Sequence, residues 1–454
     1  MRIDTTRIHW LAGCLAVIAI LAITSPATAA QKRNGDAGVD LSCPGCNVIF
    51  LNIELLRADF VGAISGSRFT PNIDAYFQNG IIFEDASAPA GETFLSNTAV
   101  LTGIKPHQIP FRPNKIDNFN KLEPEAQSKI RNALNARKSM AQTLAENGYH
   151  TISINQGGRA GKQAFLDRGF ADYSQWSSKL LFEDMVDMLL QKAIAAAGRP
   201  TFILFRPTLL HTHQYRQPLG FRSEKLPATR YITYRYETPD GSTAKAYQLK
   251  RDRESDLETG RQAERNIYAQ QLTYADDQLD QVFTMLKKYY DDNSIVVLYA
   301  NHGSGLGDHG IFEHGTSYQS CVNVPILIKH PKLSSSIRVS DPVALIDLVP
   351  TIYKMLGISR KDSTYDADLY DSIQGHPTED RVLLGKNGWD EYIRIESWKL
   401  IVQYGRFRLL FNLQSDPGEL VDLYTQRPVI VRQLESELLQ HKLKIYANMT
   451  NPLR

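Results

Sequence analysis

Apolar residues in this chain gather into short runs separated by amphipathic stretches. Asn47 to Glu54 (NVIFLNIE), Tyr149 to Ile154 (YHTISI), Thr201 to Phe205 (TFILF) and Ser294 to Ala300 (SIVVLYA) are rich in β-branched and aromatic residues. Runs of this length and composition predict strands buried on both faces. Ile81 to Glu84 predicts one more. Helical spacing predicts helices over Pro71 to Phe77, Thr93 to Leu101, Met140 to Asn147, Ile267 to Tyr290 and Ala344 to Leu356. Pro71 suits a first helical position, Thr93 suits an N-cap, and Gly148 and Gly357 suit helix stops. In the Ile267–Tyr290 stretch, Leu272, Leu279, Val282, Phe283 and Leu286 fall on one side. Strands alternating with helices predict an α/β fold with a mainly parallel central sheet sandwiched by helices.

The pattern changes after about residue 376. VLLG, YIRIES, KLIVQY and FRLLFNL read as short local strands, and VIVRQLESELLQHKLKIY as a helix. They predict a smaller antiparallel α+β subdomain over 376–454, after a main domain over 47–375. Residues from about 216 to 262 are polar without a clean period, and read as an excursion over the surface.

At the N-terminus, an arginine-bearing start, the apolar run LAGCLAVIAILAI and the small-residue end SPATAA have a signal-peptide layout, with cleavage expected near Ala29 or Ala30. Residues 1–30 are thus expected to be a leader and 31–46 a linker, and the protein to be exported, periplasmic or secreted. No later stretch is long enough for a bilayer span. Cys43 and Cys46 suit a local disulfide or a pair of free thiols, and Cys321 a small buried hydrophobe. Lys plus Arg number 51 and Asp plus Glu 49, so the charge balance gives no reason to expect nucleic acid as a partner.

Four pieces stand at strand or helix ends: Glu54, Thr93, His213 and the pair Asn301-His302. Each has an ordinary reading. A carboxylate caps a turn, a threonine starts a helix, and a lone histidine is more often a hydrogen-bonder than a ligand. Taken together they have the form of a site at the carboxyl edge of an open sheet.

Together with NVIFLNIELLRADFVG, TPNIDAYFQNG, AVLTG, LAENGYHTISI, YADDQLDQV, NSIVVLYANHGSGLGDHG, HGTSYQSCVNVPILIKHP, DLVPTIYKMLGI and LFNLQSDPGELVDL, that pattern resembles the sulfatase family of the alkaline phosphatase superfamily. The resemblance implies a hydrolase of sulfate or phosphate esters with one divalent metal ion, whether Ca, Mn, Mg or Zn. It places Glu54, Thr93, Asn301 and His302 as metal ligands and Thr93 as nucleophile. His213 aligns with a catalytic histidine that contacts substrate or leaving group, with His211 as the alternative. His314 stands where sulfatases carry a substrate-binding Lys. The chain departs from the family pattern at three places. Thr93-Phe94-Leu95-Ser96-Asn97 replaces a Cys or Ser followed by Pro and Arg, Leu55 replaces a second carboxylate, and Asn301 brings no charge. A Thr nucleophile with a Glu ligand is similar to phosphoethanolamine transferases and lipoteichoic-acid synthases. The expected partner is a small-molecule, glycan or lipid ester. The alternative is a degenerate relative that binds a glycan or lipid headgroup without turning it over.

Overall fold

The structure is a computed structural model and describes residues 38–109, 123–157, 161–162, 165–176, 182–196, 198–211, 231–237, 243–249, 254–359, 367–376 and 381–450. The expected leader, most of the linker and His213 lie outside the described residues.

Among the described residues, eleven strands precede the C-terminal subdomain. They are β1 (Asn47–Asn52), β2 (Ile81–Ser87), β3 (His150–Gln156), β4 (Asp172–Trp176), β5 (Thr201–Arg206), β6 (Tyr231–Glu237), β7 (Thr243–Leu249), β8 (Ser294–Tyr299), β9 (Asn323–Lys329), β10 (Ile337–Val339) and β11 (Val343–Ala344). All but β6 and β7 form one sheet in the order β10-β2-β9-β8-β1-β5-β3-β4, with β11 also on β2. The neighbours β8, β1, β5, β3 and β4 run parallel, and β9 is antiparallel to both β2 and β8. The mainly parallel sheet expected from the apolar runs is therefore observed. Strands β5 and β8 are buried at every position, as continuous apolar runs require.

The register at the centre decides where the chemistry sits. Asn52 on β1 pairs with Tyr299 on β8. Glu54 and Asn301 each follow that pair by two residues, so they leave the sheet side by side. Arg206 ends the adjacent β5 at the same edge.

The long helix buries the five residues picked out from its spacing, Leu272, Leu279, Val282, Phe283 and Leu286. It begins earlier than its apolar spacing indicates and spans Glu254–Tyr290. Its first turns have no apolar stripe, and intrahelical pairs such as Arg261–Glu258 at 2.6 Å support them instead. The rest of the polar excursion includes the antiparallel hairpin of β6 and β7. The predicted Ala344–Leu356 helix is shorter, with Leu345–Asp347 forming a 3-10 turn before a helix over Leu348–Met355. Pro350 lacks an N–H and fits only the first turn of that helix. Cys43 and Cys46 form a disulfide, and Cys321 is buried.

The C-terminal subdomain is an antiparallel meander of β12 (Val382–Lys386), β13 (Asp390–Ile395), β14 (Trp398–Gln403) and β15 (Phe407–Asn412), covered by the helix Pro428–Thr450. Ile393, Leu400, Val402 and Leu410 pack on Val431, Leu434 and Leu438 of that helix. The subdomain also grips the main sheet. Tyr392 donates its hydroxyl to the Ala88 carbonyl at 2.7 Å, and Arg394 pairs with both carboxylate oxygens of Asp85.

Candidate active site

Glu54, Thr93, Asn301 and His302 converge, and none is more than 3% exposed. Thr93 starts the ten-residue helix Thr93–Thr102, with Glu92 rather than Thr93 at the N-cap. That moves the predicted cap by one residue and frees the Thr93 side chain from capping duty. Gly91 lets the loop before the helix pass tightly. A Cβ there would lie 2.3 Å from the Thr316 carbonyl oxygen, while its N–H donates to Asn387 Oδ1 of the subdomain.

Thr93 Oγ1 donates to Glu54 Oε1 and lies 3.1 Å from His302 Nε2. His302 Nδ1 is 2.8 Å from the Gly303 carbonyl. A carbonyl can only accept, so Nδ1 carries a proton, and in the neutral ring Nε2 offers its lone pair to Thr93. The hydroxyl thus faces two proton acceptors. The backbone N–H groups at the start of the helix add a positive end suited to an anion. Ser96 Oγ donates to the Asn301 carbonyl at 2.5 Å, which ties the first helical turn to the end of β8. Asn97, standing where the family motif has Arg, donates to the Thr93 carbonyl at 2.8 Å and accepts from Asn52 at 2.7 Å.

His211 Nε2 lies 3.4 Å from Glu54 Oε1. The His314 ring is tilted by 33° against that of His302, with ring centroids 4.5 Å apart, and stands edge-on to His211 at 6.1 Å. Both outer histidines are partly exposed and form the rim. Asp308 points its charge elsewhere, pairing with Arg57 at 2.9 Å and Arg265 at 2.8 Å as a brace of the loop.

One residue of the site does not stand out in the sequence. Arg206 ends an apolar strand, where a charge usually marks the passage to solvent. Its side chain is instead 3% exposed and pairs with Glu54 Oε2. It also donates to Asn155 Oδ1 at 2.7 Å and to the Gln156 carbonyl. Burial pulls the Glu54 carboxyl upward, but Arg206 and His211 hold it well below the ordinary range, so it is ionised. Leu55 follows at φ +70°, a left-handed backbone that non-glycine residues rarely adopt, in the turn that carries Glu54 off β1.

Residues 46–358 match the family described as Sulfatase. The chain belongs to the sulfatase family. A sulfatase of Formosa agariphila is 21% identical over 83% of this chain and 82% of its own length. An arylsulfatase of Clostridium perfringens is 22% identical over 86% of this chain and 94% of its own. Among solved structures, a protein in complex with its substrate D-glucosamine-2-N,6-O-disulfate superimposes with a TM-score of 0.66 at 15% identity, covering 90% of this chain and 99% of that one. That likeness establishes the fold.

Sulfatases are generally metal-dependent, but the donors here fit a divalent ion poorly. Among the described residues, no group of three or more His, Cys, Asp and Glu side chains is arranged to hold a metal. Glu54 is the carboxylate that meets Thr93, and Arg206 already neutralises it. A divalent ion held by Glu54 would also stand close to the Arg206 guanidinium, and like charges repel. Asn301 has neither amide atom hydrogen-bonded, although the residue is fully buried. Its oxygen could ligate a cation but supplies no charge to hold one.

Proposed function

We propose that this sulfatase-family protein is an ester hydrolase that cleaves a sulfate ester through Thr93. The observation that carries the reading is the Thr93 hydroxyl, set at a helix N-terminus between the Glu54 carboxylate and the His302 lone pair. In the first step Thr93 Oγ1 attacks sulfur and gives its proton to His302 or Glu54. The ester S–O bond breaks, and the leaving alkoxide takes a proton, leaving an O-sulfo-threonine and a free alcohol. Water then attacks the same sulfur, releases hydrogensulfate and restores the hydroxyl. A threonine cannot form the aldehyde hydrate that a formylglycine would, so release depends on this second attack.

His211 and His314 on the rim are the proposed contacts for the ester group, and His213 is proposed to assist the leaving group. The names of the relatives support sulfated substrates, and glycans among them suit a rim of histidines. Export is also part of the reading, supported by the leader-like first thirty residues and the Cys43–Cys46 disulfide. Among the described residues no helix is long and apolar enough to cross a membrane. A transferase reaction, with an acceptor alcohol in place of water, rests on the Thr93–Glu54 pairing alone. No finding favours the binding-only alternative.

Turnover of aryl sulfate and aryl phosphate esters by wild type, Thr93→Ser and Thr93→Ala tests the proposal. Wild type should release sulfate, Thr93→Ser should retain part of the rate, and Thr93→Ala should lose at least about a hundredfold. Mass spectrometry after rapid quenching should find a sulfo group on Thr93. Equal rates for wild type and Thr93→Ala would overturn the assignment.

A further inference from the structure

We propose that Arg206 is the resident cation of this site, and that the site takes its anionic ester without a divalent ion. The inference rests on the functional reading above, but metal uptake, its main readout, is independent of turnover.

The guanidinium sits in a place built for it. Asn155 and Gln156 at the end of β3 accept from one of its nitrogens, and Glu54 beyond β1 accepts from another. Gln156 is itself fixed, accepting from the Thr208 N–H at 3.1 Å and the Thr208 hydroxyl at 2.9 Å. Three neighbouring strands of the sheet thus hold one planar cation, and a guanidinium keeps its charge at any working pH.

The departures from the family pattern follow the same charge count. A divalent ion brings a charge of +2 that the single carboxylate of Glu54 cannot balance, whereas a guanidinium brings +1 that it can. Position 55 is Leu and position 301 is Asn, so among the described residues Glu54 is the carboxylate paired with Arg206. Further carboxylates here would be buried without a counter-ion, which is strongly unfavourable. Position 97 has lost the arginine of the family motif, and β5 brings a guanidinium to Glu54 from another direction. Among the described residues Arg206 Nε is a buried donor without a partner, and so is Nδ2 of the Asn301 amide. An ester oxygen reaching it would satisfy that donor. The Glu54–Arg206 pair is neutral overall, so the site suits the single charge of a sulfate ester better than the double charge of a phosphate monoester.

Titration calorimetry of the full chain with Ca²⁺, Mg²⁺, Mn²⁺ and Zn²⁺, with elemental analysis of the purified protein, tests this. Wild type should carry and bind no stoichiometric ion, and chelator should leave its rate on an aryl sulfate unchanged. Asn301→Asp adds a carboxylate and Arg206→Gln removes the competing cation, so either should gain uptake of an ion. Arg206→Lys keeps the charge, guards against loss of folding, and should stay free of metal. Wild type binding one ion, with that binding lost in Glu54→Gln, would overturn the proposal. If no ester is turned over, the functional reading fails, while the metal titration still decides the role of Arg206.

Discussion

Lys399 and Glu419 make the most deeply buried ion pair among the described residues, with both side chains wholly inaccessible and 2.7 Å between charges. At that distance the attraction is about 6 kcal/mol for an effective dielectric of about 20. Desolvation of both ions offsets most of it, and burial pushes the Lys399 ammonium below the ordinary lysine range against the pull of Glu419. Removing one partner is different, because Lys399→Met leaves Glu419 charged, buried and held chiefly by the Gln319 N–H at 2.6 Å. That loss should cost about 3–5 kcal/mol. The damage should also reach the site. Lys399 donates to Gln319 Oε1 at 2.9 Å, and Gln319 opens the turn whose Cys321 carbonyl accepts from the Gly303 N–H at 2.8 Å. Gly303 in turn fixes the His302 ring. Urea unfolding of wild type, Lys399→Met, Glu419→Gln and the double variant measures the stability. The double variant should lose less than the two single losses combined, by about 2 kcal/mol. A Lys399→Met protein within about 1 kcal/mol of wild type, or strictly additive losses, would refute the reasoning.

Two further outcomes follow from the same interface. Asn387 accepts from Gly91 N–H and donates to Ser317 at 2.9 Å, so Asn387→Ala should cost about 1–3 kcal/mol and lower kcat more than it raises KM. Steady-state kinetics with unchanged kcat would show that the loop holds Thr93 unaided. Asp390 is raised to about 7, chiefly by burial, with the Ser317 N–H and Gln403 opposing. Because its folded pKa lies above its unfolded one, its contribution is complete below about pH 4 and is lost as pH rises through about 7. Relative to Asp390→Asn, wild type should therefore lose up to about 4 kcal/mol over that window. Parallel stability curves for the two proteins would contradict the shift.

The sheet was readable because its central strands are buried on both faces, which leaves an uninterrupted apolar run for each. The same property made Glu54, Asn301 and His302 conspicuous, since polar groups directly after such runs must do something. The C-terminal meander was readable because its short apolar runs follow one another closely and end in one helix. Arg206 is not legible because a strand-terminal arginine has the same appearance whether it faces water or a carboxylate beyond the neighbouring strand. Its sign in the sequence is Pro207, which ends the strand at once and keeps the arginine at the sheet edge. The start of the Glu254–Tyr290 helix was hidden because its polar first turns carry no period to detect.

The grip of Asn387 on Gly91 bridges 296 positions of chain. At roughly 5–20 residues per second of synthesis, the loop before Thr93 exists for about 15–60 s before its partner does. Until then nothing from the subdomain fixes that loop. The nascent protein therefore carries Thr93 early and completes the geometry around it last, once the meander is made.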